Sequence, residues 1–204
     1  MERGRALISR VFALRIGRLL PRRRRDFLRD ESGVTVIEFG LLAVPFFSIL
    51  AAIMETSVVF LSGQVMDSAV QDVSRLIRTG RVQDANMTSA QFKSLVCDRV
   101  FGLLRDCTVD DNLHVEIQVI DRFTEVNIAP PVKWTCGPTE TPANCNQWTR
   151  PELFTPGVGA SIVTVQVYYK WPVIVPFGGL GLSNLPDGRR LMGSATVFRN
   201  EPFT

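Results

Sequence analysis

The run ESGVTVIEFGLLAVPFF, residues 31–47, places one carboxylate among apolar side chains. An acidic side chain at the centre of a membrane helix costs on the order of 2.5 to 3.5 kcal/mol on insertion scales. Glu38 therefore needs a partner, because an unpaired buried charge is expensive. Gly33 stands five residues earlier, where a residue without a side chain gives another protein close access to the backbone. These two residues are the strongest chemical signal in the sequence.

The other polar residues match no motif typical of catalysis or metal binding. The single histidine, His114, lies in an alternating segment without a second ligand, so we expect a structural or surface role. The run 110–112, Asp-Asp-Asn, is more typical of a turn before a strand than of a calcium site. A phosphate-binding glycine loop and a G-x-S-x-G motif are both missing from the sequence. We therefore expect a protein that is not an enzyme and uses no cofactor, metal or small-molecule substrate.

The four cysteines indicate disulfides rather than a metal site. Their spacings are C-x9-C and C-x8-C, unlike the C-x2-C pairs of zinc sites. Disulfides persist in oxidising compartments such as the bacterial periplasm. Four cysteines allow three pairings, and we favour the two short loops as a guess. The candidates are Cys97, Cys107, Cys136 and Cys145.

Charge and hydropathy predict a membrane anchor near the N-terminus. Residues 1–33 hold ten arginines and four acidic residues, a net charge of +6, so the other residues carry −3. Such an arm indicates either nucleic-acid binding or the cytoplasmic flank of a membrane span. The window 34–53 is largely apolar with Glu38 as its only charge, and 20 helical residues match a bilayer core. We favour the span, with the N-terminus cytoplasmic and no nucleic-acid partner. A cleaved secretory signal fits less well, because its apolar core is shorter.

The elements that must position these residues begin with one long helix. Helical periodicity continues beyond the span to about residue 79, and Gly80 is suited to end the helix. Pro45 lies inside the span and should kink or locally unwind it. A second, shorter helix is predicted over 89–104, where Thr88 and Gln91 fit a capping box.

The period then changes from helical to alternating. The segment 113–119 alternates as a half-buried strand should, and we expect two further strands and a candidate hairpin partner for the first. The further strands cover 161–171 and 190–199, the candidate partner covers 123–128, and 129–159 reads as a long loop. The sequence thus predicts an α+β protein, in which a long N-terminal transmembrane, pilin-like helix precedes a small antiparallel sheet head with one short helix. We divide it into a basic cytoplasmic leader (1–33), a transmembrane and extended amphipathic helix (34–80) and a periplasmic α+β head (81–204).

The segment from Gly33 to Phe39 resembles the processing site of type IV prepilins. In that class a membrane peptidase cuts after the glycine, and a glutamate is the fifth residue of the mature chain. Counted from Val34, Glu38 is the fifth residue here. The resemblance implies cleavage between Gly33 and Val34. It also implies that Glu38, beside Phe39, meets the new amine of a neighbouring subunit and sets the register of assembly.

The wider pattern resembles the TadE-like minor pilins of the tight-adherence (Tad/Flp) pilus system. Its residues are Gly33-x4-Glu38-Phe39, Leu41-Leu42-x-x-Pro45, Glu55, the helix from Ala69 to Gly80, and the ending 198–203. The resemblance implies a minor pilin-like subunit that helps to build fibres for surface attachment. It also implies the inner membrane, a prepilin peptidase, other pilins and pilus assembly proteins as partners.

Several alternatives stay open at this point. An unprocessed, single-pass, membrane-anchored periplasmic scaffold would carry the same arginine arm and span, and a periplasmic binding module is a further option. Glu55 marks either the outer membrane interface or a specific assembly contact. The apolar arm 171–182 is either a contact surface or packs on its own sheet.

Overall fold

A computed structural model describes residues 32–108, 112–175 and 181–203 of the chain. It separates into two units, the first ending at Ile49 and the second running from Leu50 to Thr204. The hydrophobic core lies in the second unit. Most of the predicted basic leader lies outside the described residues, as do the two aspartates of the expected turn at 110–112.

The first element is the helix α1, Ser32–Arg78, which passes from the first unit into the second. The helix is uninterrupted at Pro45, so the local unwinding expected there is absent from this described segment, and a kink remains a prediction. The helix ends where the sequence predicted. Gly80 has a φ of +80°, in the left-handed region that glycine adopts at little cost.

Two short helices follow, α2 (Arg81–Asp84) and α3 (Ser89–Arg99). The predicted capping box is confirmed at α3: the Gln91 N–H donates to Thr88 Oγ1 over 3.3 Å, and the Thr88 N–H donates to Gln91 Oε1 over 2.9 Å. The helix is shorter than the predicted 89–104, because the backbone turns left-handed at Phe101 and Gly102. Phe101 is consequently 84% exposed instead of facing the core.

The sheet has four strands in the order β2-β1-β3-β4 among the described residues. The strands are β1 (Leu113–Ile120), β2 (Leu153–Phe154), β3 (Ile162–Trp171) and β4 (Arg190–Arg199). The strand β3 is antiparallel to β1 and to β4, as predicted, but β1 and β2 are parallel. The expectation of a purely antiparallel sheet is therefore wrong.

Residues 123–128 form a 3-10 turn (Phe123–Glu125) and an irregular stretch, so they are not the hairpin partner of β1. The partner β2 lies within the predicted loop 129–159, which also contains the short helix α4 (Pro142–Cys145).

One face of the sheet packs on the C-terminal half of α1 and on α3 to form the core. The helices contribute Met66, Val70, Val73, Ile77, Phe92 and Val96, and the sheet contributes Leu113, Val115, Ile117, Val163, Val165, Val167 and Tyr169. The opposite face is polar but also buried. His114 and Glu116 are only 1% and 2% exposed, so β1 is not the half-buried strand that its alternation predicted. Trp148 stacks on His114 and Arg150 binds Glu116, so the segment around them covers this face.

Two disulfides are present, as expected for this set of cysteines. Cys97 is joined to Cys107 and Cys136 to Cys145, with Cα–Cα distances of 5.8 and 5.5 Å. The first bridge closes the left-handed turn after α3, and the second holds α4 to the loop before it. Each bridge restricts the unfolded chain and so stabilises the head.

Candidate functional site: three glutamates and their partners

Glu38 lies in the first turns of α1 and is exposed. Within the described parts of the chain, none of the hydrogen bonds or ion pairs involves its carboxylate. The neighbouring apolar side chains are exposed too, with Val36 at 70%, Phe39 at 69% and Leu42 at 72%. This first part of α1 therefore has an apolar surface that the described residues do not cover, with one charge on it.

The helix from Val34 is long and apolar enough to cross a membrane. Its most apolar 18 residues have a mean hydropathy of 2.3, and none of them is buried inside the chain. Apolar side chains that are exposed all round a helix are typical of contact with lipid or with other apolar helices. One such helix near the N-terminus is consistent with a single-pass membrane anchor.

Glu55, by contrast, is 9% exposed and has partners within the chain. Its Oε1 accepts from the Ile174 N–H at 2.5 Å, and its Oε2 accepts from the Val175 N–H at 3.0 Å. Charge-assisted hydrogen bonds of this kind are roughly twice as strong as neutral ones. The carboxylate thus fixes the segment after β3 to α1. Neither the membrane interface nor an assembly contact is needed to explain this residue.

The apolar arm 171–182 is divided between the core and the surface. Val173 and Leu182 pack against the core, whereas Ile174 is 80% exposed. Residues 176–180 lie outside the described part of the chain. Val173 and Leu182 therefore support packing on the sheet, and a contact surface at Ile174 stays a prediction.

Glu116 lies in the middle of β1 and is the centre of a buried polar cluster. Its two oxygens accept from Arg150 Nε at 2.6 Å and Arg150 Nη2 at 2.7 Å. Oε1 is also 2.8 Å from His114 Nε2. A carboxylate can only accept hydrogen bonds, so His114 carries its proton on Nε2. Arg150 also donates to the Ala129 carbonyl, which ties the covering segment to itself.

Burial and hydrogen bonding act on this cluster in opposite directions. Burial lowers the pKa of His114, and the hydrogen bond and charge of Glu116 only partly oppose that effect. The hydrogen bonds to Glu116 raise the pKa of Arg150. His114 is thus held neutral as a donor, which is the structural role expected from the sequence. Glu116 holds the covering segment on the sheet through its two hydrogen bonds from Arg150.

A second polar group lies beside the first. Lys93 of α3 and Glu152 form an ion pair of 2.5 Å, and Glu152 Oε1 also accepts from the Val115 N–H at 3.3 Å. Lys170 Nζ lies 4.0 Å from the centre of the Trp148 ring and donates to the Asn146 carbonyl. Within the described residues, no group of three or more His, Cys, Asp or Glu side chains is placed to hold a metal ion.

Residues 33–75 match the family model of TadE-like proteins. The match begins at Gly33 and includes Glu38, Pro45 and Glu55, so it confirms the resemblance over residues 33–75. The ending 198–203 lies outside the match. It indicates a protein associated with the Tad pilus system, which is a structural and assembly apparatus. No significant match was found among curated proteins or among solved structures.

The TadE-like segment ends just before the end of α1, where the C-terminal tail of the chain is bound. The Glu201 N–H donates to the Arg78 carbonyl over 2.9 Å, and the Phe203 ring lies against Gly80. The Asn200 amide donates to the carbonyls of Pro156 and Val158 at 3.0 and 3.1 Å. The ending 198–203 therefore caps the last turn of the helix and joins it to the sheet.

Sequence reasoning found Glu38 but missed the roles of Glu55 and Glu116. The partners of Glu55 are 119 and 120 residues away, and Arg150 is 34 residues from Glu116. The spacing of residues along the sequence does not indicate such pairs. The only available sign was the uninterrupted polar series His114, Glu116 and Gln118 on one face of a strand.

Proposed function

We propose that this chain is a minor pilin-like subunit of a tight-adherence pilus. It is processed between Gly33 and Val34 by a prepilin peptidase and then assembles through its N-terminal helix. The proposal is supported by one observation above all: the TadE-like match begins at the glycine in the first turn of an exposed apolar helix.

Glu38 supplies the chemical reason for assembly. Its carboxylate is on the surface of α1 and has no partner within the described residues. Cleavage after Gly33 would create a positively charged amine at Val34, one helical turn from the carboxylate. In an apolar surrounding an amine and a carboxylate attract strongly, so the Val34 amine of one subunit is a suitable partner for Glu38 of the next. Phe39 lies next to this pair and adds apolar contact.

The orientation follows from the charge distribution. The arginine-rich leader is retained in the cytoplasm, and the head with its two disulfides is placed in the periplasm. The partners are then the inner membrane, the prepilin peptidase, other pilins and pilus assembly proteins. The role is assembly for surface attachment rather than catalysis.

The deciding experiment determines the N-terminus of the membrane-extracted protein by intact mass. We expect a chain that starts at Val34 and lacks 33 residues of leader. Gly33→Ala should leave a larger share of the chain at full length, because a methyl group crowds the scissile bond. Gly40→Ala is the matched control, since the added methyl meets no other group within 4 Å.

A chain that still begins at Met1 or Glu2, in cells with an active prepilin peptidase, contradicts this proposal. That result would favour the unprocessed membrane-anchored scaffold instead. Normal processing of the Gly33→Ala and Gly40→Ala variants alike would mean that the glycine is not the recognition element.

A further inference from the structure

The strand β4 forms an outer edge of the described sheet, because it pairs with β3 on one side only. The direction of its backbone groups follows from two contacts. The Leu191 N–H points away from β3 and donates to the Asn184 side chain at 2.7 Å. The Asn200 N–H points toward β3 and donates to the Ser161 carbonyl at 2.8 Å. Since the N–H and C=O groups of a residue in an antiparallel strand point to the same side, the odd-numbered residues of β4 face outward.

Three residues therefore present free backbone groups along this edge. Gly193, Ala195 and Val197 direct three N–H and three C=O groups outward, and none of these groups is hydrogen-bonded within residues 32–108, 112–175 and 181–203. Gly193 and Ala195 are also exposed. An unpaired edge of this kind is a template for a further strand.

Between its terminal arginines, Arg190 and Arg199, the edge lacks the features that usually prevent such pairing. Natural edge strands are protected by charged side chains, proline, bulges or very short length. The run 193–198, Gly-Ser-Ala-Thr-Val-Phe, carries no charge and no proline. The strand pairs with β3 in register over ten residues without a bulge. By comparison, the other edge strand, β2, has two residues.

We propose that the β4 edge pairs antiparallel with the β4 edge of a second copy of this chain, about a twofold axis at Ala195. Outward-facing residues meet outward-facing residues only when the axis passes through a residue and not between two residues. An axis at Ala195, the middle one, pairs all three residues that have free outward groups with one another. With the axis at Ala195, Gly193 meets the second copy's Val197, and Ser194 meets its Thr196. Met192 then meets Phe198 of the second copy.

The side-chain pairs in this register are compatible throughout. Ser–Thr and apolar–aromatic pairs across strands are favourable. Arg199 lies opposite Leu191 and Arg190 opposite Asn200, so no like charges face each other. The self-complementary pattern is the reason to prefer a second copy over an unrelated strand, and the interface has the symmetry of the commonest homodimers. This pairing goes beyond the proposed pilin function, since it involves the head alone and needs no cleavage at Gly33.

The test is site-directed disulfide crosslinking of the full chain in its native membrane. At the axis, the two copies of residue 195 form a hydrogen-bonded pair with Cα atoms about 5.5 Å apart, within the range of disulfides. Under mild oxidation, Ala195→Cys should give a reducible homodimer of twice the monomer mass. Val197→Cys is the matched control on the same strand and face. Its two copies would be four residues apart, about 14 Å at strand rise, so we expect at least tenfold less dimer.

A second variant tests the backbone hydrogen bonds. Val197→Pro, added to Ala195→Cys, removes an outward N–H but no bond to β3, so the head should keep its near-ultraviolet circular dichroism. The crosslinked dimer should fall at least fivefold. Three results would overturn the proposal: no Ala195→Cys dimer, equal dimer from both single-cysteine variants, or a crosslink to a different protein in place of the homodimer.

Discussion

Glu38 and the two glutamates of the second unit show how differently one side chain can be used. Glu55 is held by two backbone N–H groups, and Glu116 is held by Arg150 and His114. Glu38 is exposed on an apolar helix and has no partner within the described residues. The first two carboxylates are satisfied by the fold itself. For the third, the described residues supply no partner.

The comparison separates charges that stabilise the head from a charge that has no partner among the described residues. A buried carboxylate with good hydrogen bonds is costly to remove, because its partners are left behind without it. An exposed carboxylate contributes little to folding, so its presence in an apolar helix needs another explanation. Neutralising each glutamate in turn therefore gives a direct test.

Glu116→Gln should have the largest effect on the head. The glutamine keeps the shape but leaves Arg150 without a charged partner, and breaking a buried pair costs about 3 kcal/mol at the lower end of the usual range. The lower end applies because the Arg150 side chain is 37% exposed. Urea unfolding of the full chain in detergent, followed by tryptophan fluorescence, measures the loss. Glu125→Gln, at an exposed site, is the control, and a loss below about 0.5 kcal/mol for Glu116→Gln would contradict the assignment.

Glu55→Gln should cost less, about 2 kcal/mol, because one of its two hydrogen bonds can be kept by the glutamine oxygen. The amide nitrogen would face a backbone N–H, so either Ile174 or Val175 loses its acceptor. Hydrogen–deuterium exchange of these two amides should become faster, while exchange in the core strand β3 stays slow. Unchanged protection at both amides would mean that the carboxylate does not hold this segment.

A pH-dependent loss of stability is expected from His114. Burial lowers its pKa below the usual 6.5, so the unfolded chain binds more protons than the folded one in this range. The free energy of unfolding should then decrease as the pH falls from about 7 through 6.5 toward the lowered pKa, by at most about 1.4 kcal/mol per pH unit. His114→Gln should make the same curve flatter between pH 7 and 5.5. An equal slope in both proteins would assign the effect to other groups.

Glu38→Gln should have the smallest effect on folding, within about 0.5 kcal/mol for the head. Its effect should appear in assembly instead, as at least a tenfold loss of the subunit from purified fibres. Glu38→Asp retains the charge and should recover part of the incorporation. If the Glu38→Gln subunit is incorporated normally, Glu38 does not set the register of assembly. That result concerns Glu38 alone and does not bear on the processing site at Gly33.

The fold was predictable where the signal was local. The long helix, its end at Gly80, the capping box at Thr88 and the strands β3 and β4 all follow from periodicity and from residues within one turn of each other. The short strand β2 was not predictable, because its two residues pair with β1 across a long intervening loop. For the same reason the hairpin expected at 123–128 was wrong.

The sequence by itself determined the features that depend on neighbours along the chain. These are the arginine-rich segment 1–33, the apolar helix, the carboxylate five residues after Gly33 and the resemblance to TadE-like proteins. Only the tertiary structure decided which charges have partners inside the molecule. These partners are set by distance in space, as in the hydrogen bonds from residues 174 and 175 to Glu55 and from Arg150 to Glu116. Spacing along the chain carries no information about such contacts, since the loops between them can have almost any length at little cost in free energy.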